Sequence, residues 1–267
     1  MVSDVENPSA IVIIFPGTNC HVETARALSM AKFEVREIHV NELLQDKSIL
    51  EQFQLLALPG GFSYGDDIAS GKVAANKLLF KLEDQIKSFA NDKLIIGICN
   101  GFQILVKAGL LPAVGGDFKI QATLTYNDLG HFYCDWVKLK NVNSGKCVYT
   151  RGIDFIELPV AHGEGKFVVK EDHVFDQMEK NDQIVFKYMK HDKSPANGAF
   201  PHNPGNSLKD IAGICDPTGR ILGLMPHPER YLLRYNHPRW TAGFGDDEEN
   251  GIRIFQNARD YVIEHLI

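Results

Sequence analysis

One stretch near the middle of the chain, residues 93–103, constrains the fold more than any other. An apolar run of strand length ends at Gly97-Ile98-Cys99-Asn100-Gly101, and the residues that follow space their apolar positions like a helix. The pattern Gly-x-Cys-x-Gly is typical of a sharp strand-to-helix turn, in which glycine on either side permits the tight bend and close helix packing. The stretch therefore predicts a buried β-strand that leads directly into an α-helix.

A cysteine at such a turn has two interpretations. The N–H groups and the positive dipole end of the helix favour a thiolate, which is the nucleophilic form of cysteine. The alternative is a structural cysteine that ends a core strand, because free cysteine is among the most buried residue types. The turn alone does not distinguish a nucleophile from a core residue at Cys99.

The rest of the chain predicts an α/β fold. In the first half, apolar strand-like runs alternate with helical segments, and Thr18 or Asn19 would cap the first helix. This alternation predicts a mostly parallel sheet flanked by helices. Short runs broken by Asn, Gly and Asp predict added antiparallel strands in the second half. The predicted strands cover residues 10–15, 33–40, 55–58, 93–98, 123–126, 132–139, 147–149, 155–160, 166–169, 184–189, 211–215 and 221–225, and the last helix covers 252–265.

Composition narrows the class of protein. The 267 residues contain 44% hydrophobic residues and carry a formal charge of −6, with no basic stripe, so no nucleic-acid partner is expected. No apolar run approaches the ~20 residues of a membrane span, and the polar start does not resemble a signal peptide. Five scattered cysteines without a Cys-x-x-Cys pair suit a reducing cytoplasm and predict no metal site. With no long linker, residues 1–267 are expected to form a single domain.

A second candidate group follows the last predicted strand. Each proline of Pro226-His227-Pro228-Glu229 pushes the preceding residue toward an extended backbone. If Glu229 is extended too, its carboxylate and the His227 imidazole point to the same side, because strand side chains alternate. The carboxylate would then fix the imidazole tautomer while the other ring nitrogen faces a nucleophile. A solvated surface turn is the alternative, but two prolines favour a rigid site.

Other polar residues have weaker patterns. Gly60 and Gly61 leave a predicted strand at the same sheet edge as Cys99, and their amides could form an oxyanion hole with the amide of Asn100. Ser63 lies in a Gly-x-Ser-x-Gly match but does not directly follow a strand. His162 and Glu164 could line the same edge of the sheet or belong to a polar hairpin loop, and the sequence favours neither. Asp66 and Asp67 are interpreted as a solvated helix start rather than a metal pair, and His202 and His237 as surface-loop histidines.

At this point the motifs resemble a known family. The sequence is similar to the class I glutamine amidotransferases, which have a flavodoxin-like sheet, and within them to the glutaminase subunits of phosphoribosylformylglycinamidine synthase. The resemblance spans nearly the whole chain in order. It rests on residues 15–20 (FPGTNC), 58–66 (LPGGFSYGD), 97–105 (GICNGFQIL), 161–165 (AHGEG) and 225–230 (MPHPER). Residues 67–71 and 234–250 depart from the compact family pattern, so the resemblance does not predict which surface faces the partner.

The resemblance implies Cys99 as nucleophile, His227 as general base and acid, Glu229 as its orienting carboxylate, and Gln103 with the Gly61 and Asn100 amides around bound glutamine. It further implies that ammonia passes to a large synthetase subunit, with a small third subunit in the complex. No Walker-type loop occurs in the sequence, so ATP and Mg are expected on the partner and no cofactor on this chain. Two other hypotheses are a stand-alone cysteine hydrolase or peptidase and a non-catalytic binding subunit.

Overall fold

A nine-stranded sheet runs through the computed structural model, which describes residues 7–116, 118–245 and 250–267. In the described residues the strands are β1 (Ser9–Ile14), β2 (Glu34–His39), β3 (Leu55–Leu58), β4 (Leu94–Ile98), β5 (Ala122–Thr125), β6 (Tyr133–Asn141), β7 (Phe155–His162), β8 (Lys166–Val169), β9 (Ile184–Met189), β10 (Ile211–Cys215) and β11 (Ile221–Leu224). The sheet order is β2-β1-β3-β4-β11-β10-β9-β6-β7, and β5 pairs with β8 in a separate small sheet.

The two halves of the sheet differ in strand direction. Strands β2, β1, β3, β4 and β11 pair in parallel, whereas β11, β10, β9, β6 and β7 pair antiparallel. Residues of β3, β4, β10 and β11 are all buried, as expected for continuous apolar runs covered on both faces. The predicted parallel sheet with added antiparallel strands in the second half is confirmed.

The helices of the described residues are α1 (His21–Met30), α2 (Val40–Gln45), α3 (Lys72–Asp92), α4 (Asn100–Lys107), α5 (Asp172–Lys180) and α6 (Ile252–His265). The sequence did not predict α5, which buries only Val174 and Met178 on an otherwise polar surface. The predicted strand at 147–149 is wrong, because Val148–Thr150 forms a 3₁₀ turn. Within the described residues, none of the helices combines the length and apolarity needed to cross a membrane.

Two helix starts differ from the predictions. Cys20, rather than Thr18 or Asn19, occupies the N-cap position of α1, and it makes no side-chain cap. The Thr18 hydroxyl instead accepts a hydrogen bond from the amide of Phe15 at 3.1 Å and closes the preceding turn. Helix α3 begins at Lys72 and not at Asp66 or Asp67, because Gly71 before it adopts a left-handed backbone conformation with φ of 75°.

Three adjacent parallel strands, β3, β4 and β11, end at one edge of the sheet. Their registers pair Leu58 with Gly97 and Leu224 with Ile98, so the segments that follow all leave the sheet at similar heights. Ligands of such sheets bind outside the carboxyl ends of the strands. The fold therefore brings the Gly60 loop, the Cys99 turn and the His227 segment to a common edge.

Substitution of Gly101 by alanine is expected to destabilise this edge. A Cβ atom at Gly101 would lie 1.8 Å from the carbonyl oxygen of Leu58, so strand and helix would have to separate. We expect the free energy of unfolding to fall by about 1–3 kcal/mol or more, as for an overpacked core. Chemical denaturation measures this loss. In the matched control Gly163→Ala, the new Cβ would lie 3.9 Å from the nearest atom, in Phe132, and an equal loss in both variants would contradict the packing argument.

Candidate active site

The turn between β4 and α4 holds Cys99 in a strained backbone conformation. Cys99 has φ of 52° and ψ of −105°, a region that non-glycine residues rarely adopt. Its amide donates to the carbonyl of Leu224 at 2.8 Å, and a Cβ at Gly97 would lie 2.6 Å from the carbonyl oxygen of Gly101. The glycines on both sides are thus required by close approach, as predicted. The strained turn places the Cys99 side chain at the start of α4, next to the free N–H groups of the first helical turn.

His227 and Glu229 form a buried pair just beyond β11. The Nδ1 atom of His227 lies 2.6 Å from Oε1 of Glu229, and both side chains are almost fully buried. His227 is extended, as predicted, whereas Glu229 is not, because it lies in a 3₁₀ turn from Pro228 to Arg230. Proline suits the first position of that turn, and the turn swings the carboxylate back onto the ring.

The protonation of His227 reflects these neighbours. Burial by itself lowers the pKa of His227, but the negative charges of Glu229 and Cys99 outweigh burial and raise it well above its ordinary value. Nδ1 faces Glu229, and Nε2 has no hydrogen-bond partner among the described residues. An unpartnered buried Nε2 beside a cysteine is available to exchange a proton with the reacting groups.

Two glycines pack tightly next to the site, Gly60 against Cys99 and His227 and Gly61 against residues 17–19. A Cβ atom at Gly60 would lie 2.9 Å from the His227 ring and 3.5 Å from the Cys99 Cβ, so only glycine leaves that space open. Gly61 has φ of 145°, and a Cβ there would lie 2.7 Å from the amide of Asn19. The carbonyl of Gly60 accepts hydrogen bonds from the amides of Asn19 and Cys20, which fixes the loop.

Asn100 and Gln103 lie at the start of α4, directly after Cys99. The Gln103 amide nitrogen donates to the carbonyl of Glu164 at 2.6 Å, and its oxygen accepts from the Asn100 side chain at 2.9 Å. The Asn100 oxygen in turn accepts from the amide of Ser63 at 3.2 Å. These bonds fix the orientation of the Gln103 carboxamide at the wall of the cavity.

A cavity of about 280 Å³ opens onto Cys99 and is small enough to suit an amino acid rather than a drug-sized ligand. It is lined by Gly61, Phe62, Asp66, Ser70, Cys99, Gln103, Tyr126, Gly130, His131, Phe132, Ala161, His162, Gly163 and Glu164. Of the two interpretations for His162 and Glu164, the structure supports the site-lining one. Asp66 also lines the cavity, so its interpretation as a solvated helix start is wrong. Burial raises the pKa of Asp66.

His162 is a buried neutral imidazole in this wall. Its Nδ1 lies 3.0 Å from the Asn127 side-chain oxygen, and the Asn127 nitrogen donates to the carbonyl of His162 at 2.8 Å. Burial, with the charge on His227 as a smaller cause, lowers the pKa of His162 to about 4. No local sequence signal marks Asn127, which lies 35 positions from His162 in the chain.

The low pKa of His162 predicts acid sensitivity. Above about pH 6.5 the histidine is neutral in both the folded and unfolded chains. As the pH falls toward 4, the unfolded chain binds a proton that folded His162 does not bind, so the folded state loses about 2–3 kcal/mol. Denaturation at neutral pH and at about pH 4.5 should show this loss reduced in His162→Gln. His173→Gln, at an exposed histidine, is the control. If the free energy of unfolding fell equally on acidification in the unchanged chain and in both variants, the assignment would be contradicted.

Several residues near the site were not singled out as site residues from sequence. Arg230 donates to the Cys20 sulfur at 2.9 Å. Lys107 lies 3.9 Å from Glu164, and burial lowers the pKa of this lysine. His237 is buried rather than a surface-loop histidine, since it packs against Trp136 and Tyr231. Ser63 is buried and does not line the Cys99 cavity.

Among the described residues, one group of donor atoms has the spacing of a metal site. Ligand atoms of Cys20, His227 and Glu229 lie within 4.8 Å of one another. Glu229 is already engaged with Nδ1 of His227, and the Arg230 guanidinium contacts the Cys20 sulfur. A cation there would meet a fixed positive charge, so the set fits an imidazole held between thiols and a carboxylate better than a metal centre.

A Cys-His-Glu arrangement at the carboxyl edge of an α/β sheet is the one implied by the resemblance to the class I glutamine amidotransferases. Residues 7–262 match the family model described as the CobB/CobQ-like glutamine amidotransferase domain. Two relatives called phosphoribosylformylglycinamidine synthase subunit PurQ are similar over almost their whole length. The relative from Dehalococcoides mccartyi is 45% identical, over 93% of this chain and 95% of its own. The relative from Methanococcus maripaludis is 41% identical, over 95% and 97%.

A solved structure described as PurLQS from Thermotoga maritima has a chain with a TM-score of 0.72 and 32% identity, covering 96% of this chain and 99% of that one. A glutamine amidotransferase structure from the same organism, at 15% identity and a TM-score of 0.54, shares the fold. The chain therefore belongs to the CobB/CobQ-like glutamine amidotransferase family, and within it to the PurQ subunits of phosphoribosylformylglycinamidine synthase.

Proposed function

We propose that this chain hydrolyses glutamine to glutamate and ammonia and supplies the ammonia to a synthetase subunit. That subunit would use ATP to convert formylglycinamide ribonucleotide to formylglycinamidine ribonucleotide in de novo purine biosynthesis. The observation that carries the proposal is Cys99, at a strained turn beside the His227–Glu229 pair, opening onto a cavity of amino-acid size. The names of the two PurQ relatives support the particular reaction.

The proposed reaction is acyl transfer through a thioester. The Cys99 thiolate attacks the side-chain amide carbon of glutamine, and the C–N bond breaks as protonated His227 gives a proton to the departing ammonia. Neutral His227 then takes a proton from water, whose oxygen attacks the thioester carbon. The C–S bond breaks, glutamate leaves, and the thiolate and the imidazolium are restored. The raised pKa of His227 favours the imidazolium at neutral pH, which is the form that donates the proton to ammonia.

Backbone amides are proposed to stabilise the developing oxyanion. Gly61 follows Gly60 in the loop next to Cys99, and the amide of Asn100 immediately follows the nucleophile at the start of α4. Donors fixed before the reaction need no reorganisation as charge develops, which is why such sites lower the barrier. The fixed Gln103 carboxamide is proposed to bind the polar end of the substrate.

The mouth of the cavity is proposed as the docking surface for the synthetase. Phe62 and Phe132 are 44% and 48% exposed, and their ring centroids lie 6.0 Å apart. Tyr126, 68% exposed, lines the same opening. Exposed aromatic side chains that cluster around a site mark interaction surfaces, and a docked partner would also receive ammonia before it reaches bulk water. The structure described as PurLQS supports a large synthetase subunit and a small third subunit as partners.

Substitution of Phe62 by aspartate tests the docking surface. A charge at the centre of an apolar interface is expected to weaken association with the synthetase at least about tenfold. Sedimentation or calorimetry measures the dissociation constant. Phe80→Asp is the matched control, since Phe80 is 80% exposed on α3 and does not line the cavity. Equal weakening by both substitutions, or by neither, would argue against this surface.

Reconstitution tests the function as a whole. With the purified synthetase subunits, ATP and Mg, the chain should be required for product formation from glutamine but not from ammonium salts. Product formation from glutamine without this chain would contradict the proposal.

The stand-alone cysteine hydrolase or peptidase remains the alternative class. Strong turnover of esters or peptides by the isolated chain, with no turnover of glutamine, would favour it over the proposal.

Three further statements stay proposals. ATP and Mg are proposed to bind the synthetase, with no cofactor on this chain. The chain is proposed to act in the cytoplasm. All five cysteines are free, and a reducing cytoplasm would keep them so. That residues 1–267 form a single domain also stays a prediction. Residues 234–250 depart from the compact family pattern, and residues 246–249 within them lie outside the described residues.

A further inference from the structure

A second and larger cavity, of about 890 Å³, lies between β6, β8, β9 and the segment that joins β9 to β10. It shares no lining residue with the Cys99 cavity. Five lysines from separate parts of the sequence line it: Lys140, Lys166, Lys187, Lys193 and Lys209. We call this cavity the basic groove. No basic stripe is visible in the sequence because the fold alone brings these lysines together.

Carboxylates do not compensate this charge. Among the described residues, the one acidic side chain that lines the basic groove is Asp210. Its oxygens already accept hydrogen bonds from the amides of Asn197 and Gly198, at 2.7 and 2.8 Å, and from the Asn203 side chain at 2.8 Å. Lys166 pairs with Asp128 at 2.6 Å. The other four lysines form no ion pair within the part of the chain that the structure describes.

Two of the lysines are held close to each other. The ammonium groups of Lys140 and Lys193 both lie over the ring of Phe155, at 5.8 and 4.4 Å from its centroid. Like charges held next to one ring repel each other, and a bound anion nearby would reduce this cost. In a chain whose formal charge is −6, such a local excess of positive charge is a specific feature of this groove.

The shape and lining of the basic groove favour a small ligand. Its volume is in the range of ordinary ligand pockets, and apolar side chains alternate with the lysines along its wall. Strands β6 and β9 are hydrogen-bonded to neighbours on both sides, so neither offers a free edge to a peptide strand. We propose that the basic groove binds a nucleotide-sized anion that carries two or more phosphate groups. The apolar wall (Val142, Val168, Met189, Pro195 and Leu208) would contact its non-phosphate part.

Calorimetric titration of the full chain with sodium tripolyphosphate at low salt tests this site. We expect binding that weakens as salt rises, because charge pairing at an exposed groove is screened. Lys140→Gln/Lys187→Gln should weaken binding at least tenfold. The matched control is Lys81→Gln/Lys180→Gln, which removes the same charge from exposed lysines of α3 and α5 and should leave binding unchanged.

A parallel titration with ATP in the absence of Mg examines the apolar wall. Tighter binding of ATP than of tripolyphosphate would add support for a nucleotide-like ligand. Unchanged glutaminase activity and melting temperature show that a variant is folded. If the first pair fails to fold, Lys193→Gln/Lys209→Gln takes its place.

Three results would overturn the proposal: no binding of either probe, equal weakening in groove and control variants, or binding unaffected by the groove variants. Loss of synthetase association in the groove variants, with no binding of tripolyphosphate, would likewise overturn it in favour of a protein partner. These outcomes are independent of glutamine hydrolysis, since the two cavities are lined by different residues.

Discussion

Replacement of Cys99 by alanine is expected to lower glutamine hydrolysis at least about a thousandfold, because removal of a nucleophile from a catalytic triad leaves only binding and oxyanion contributions. The thiol is the one side chain at the strained turn that can form the thioester. In the assembled complex, product formation from ammonium salts should persist, since the ammonia-using step is proposed to lie on the partner. The measurement is initial rates with glutamine and with ammonium chloride.

Cys134→Ala is the control for this variant, because Cys134 is an exposed free cysteine remote in sequence from the turn. It should retain the glutamine-dependent rate. Full glutamine-dependent activity in Cys99→Ala would show that the nucleophile has been assigned to the wrong residue. Loss of the ammonium-dependent rate as well would instead point to an inactive synthetase, since that rate is not expected to require this chain. Gel filtration would show whether Cys99→Ala still assembles with its partners.

The second large effect is expected from Glu229→Gln. This change removes the negative charge 2.6 Å from Nδ1 of His227, and an amide can favour the wrong tautomer of the ring. Loss of the comparable carboxylate from a serine-protease triad lowers kcat by about 10⁴-fold, and we expect a fall of about 10³–10⁴-fold here. The pKa of His227 should also fall, so the alkaline limb of the pH–rate profile moves to lower pH.

An exposed histidine–glutamate pair provides the matched control. Glu171 and His173 lie 3.3 Å apart on the surface, also two residues apart in sequence. Glu171→Gln should change neither kcat nor the pH profile. If Glu229→Gln lowered kcat but left the pH profile where it was, the carboxylate would act on structure rather than on the protonation of His227.

The sequence predicted the parallel half of the fold because its signals are local. Continuous apolar runs such as Leu55–Leu58 and Leu94–Ile98 are buried on both faces, and the glycines on either side of Cys99 predict the turn between strand and helix. Helix α5 was not predicted, because its two buried residues make too short an apolar stripe within a charged segment. At 148–150 the apolar residues pack onto α6 from a 3₁₀ turn, and burial alone does not distinguish such a turn from a strand.

The candidate site was predicted only where its residues belong to short motifs. His227 and Glu229 are held by adjacent prolines, yet a 3₁₀ turn rather than an extended strand brings their atoms together. His162 was left open, because the residue that fixes its ring, Asn127, is brought to it by the small sheet and not by sequence proximity. The burial of His237 depends likewise on Trp136, about a hundred positions away in the chain.

The measurement that tests the central claim most directly is the mass of the peptide that contains Cys99 after acid quenching during turnover. The complex is mixed with glutamine, quenched in the steady state, digested at low pH and analysed by mass spectrometry. The account predicts that this peptide carries one additional glutamyl group, which mild hydroxylamine removes and which Cys99→Ala lacks. Turnover of glutamine with the glutamyl group on another residue, such as Ser63, or persistence of the adduct in Cys99→Ala, would contradict it.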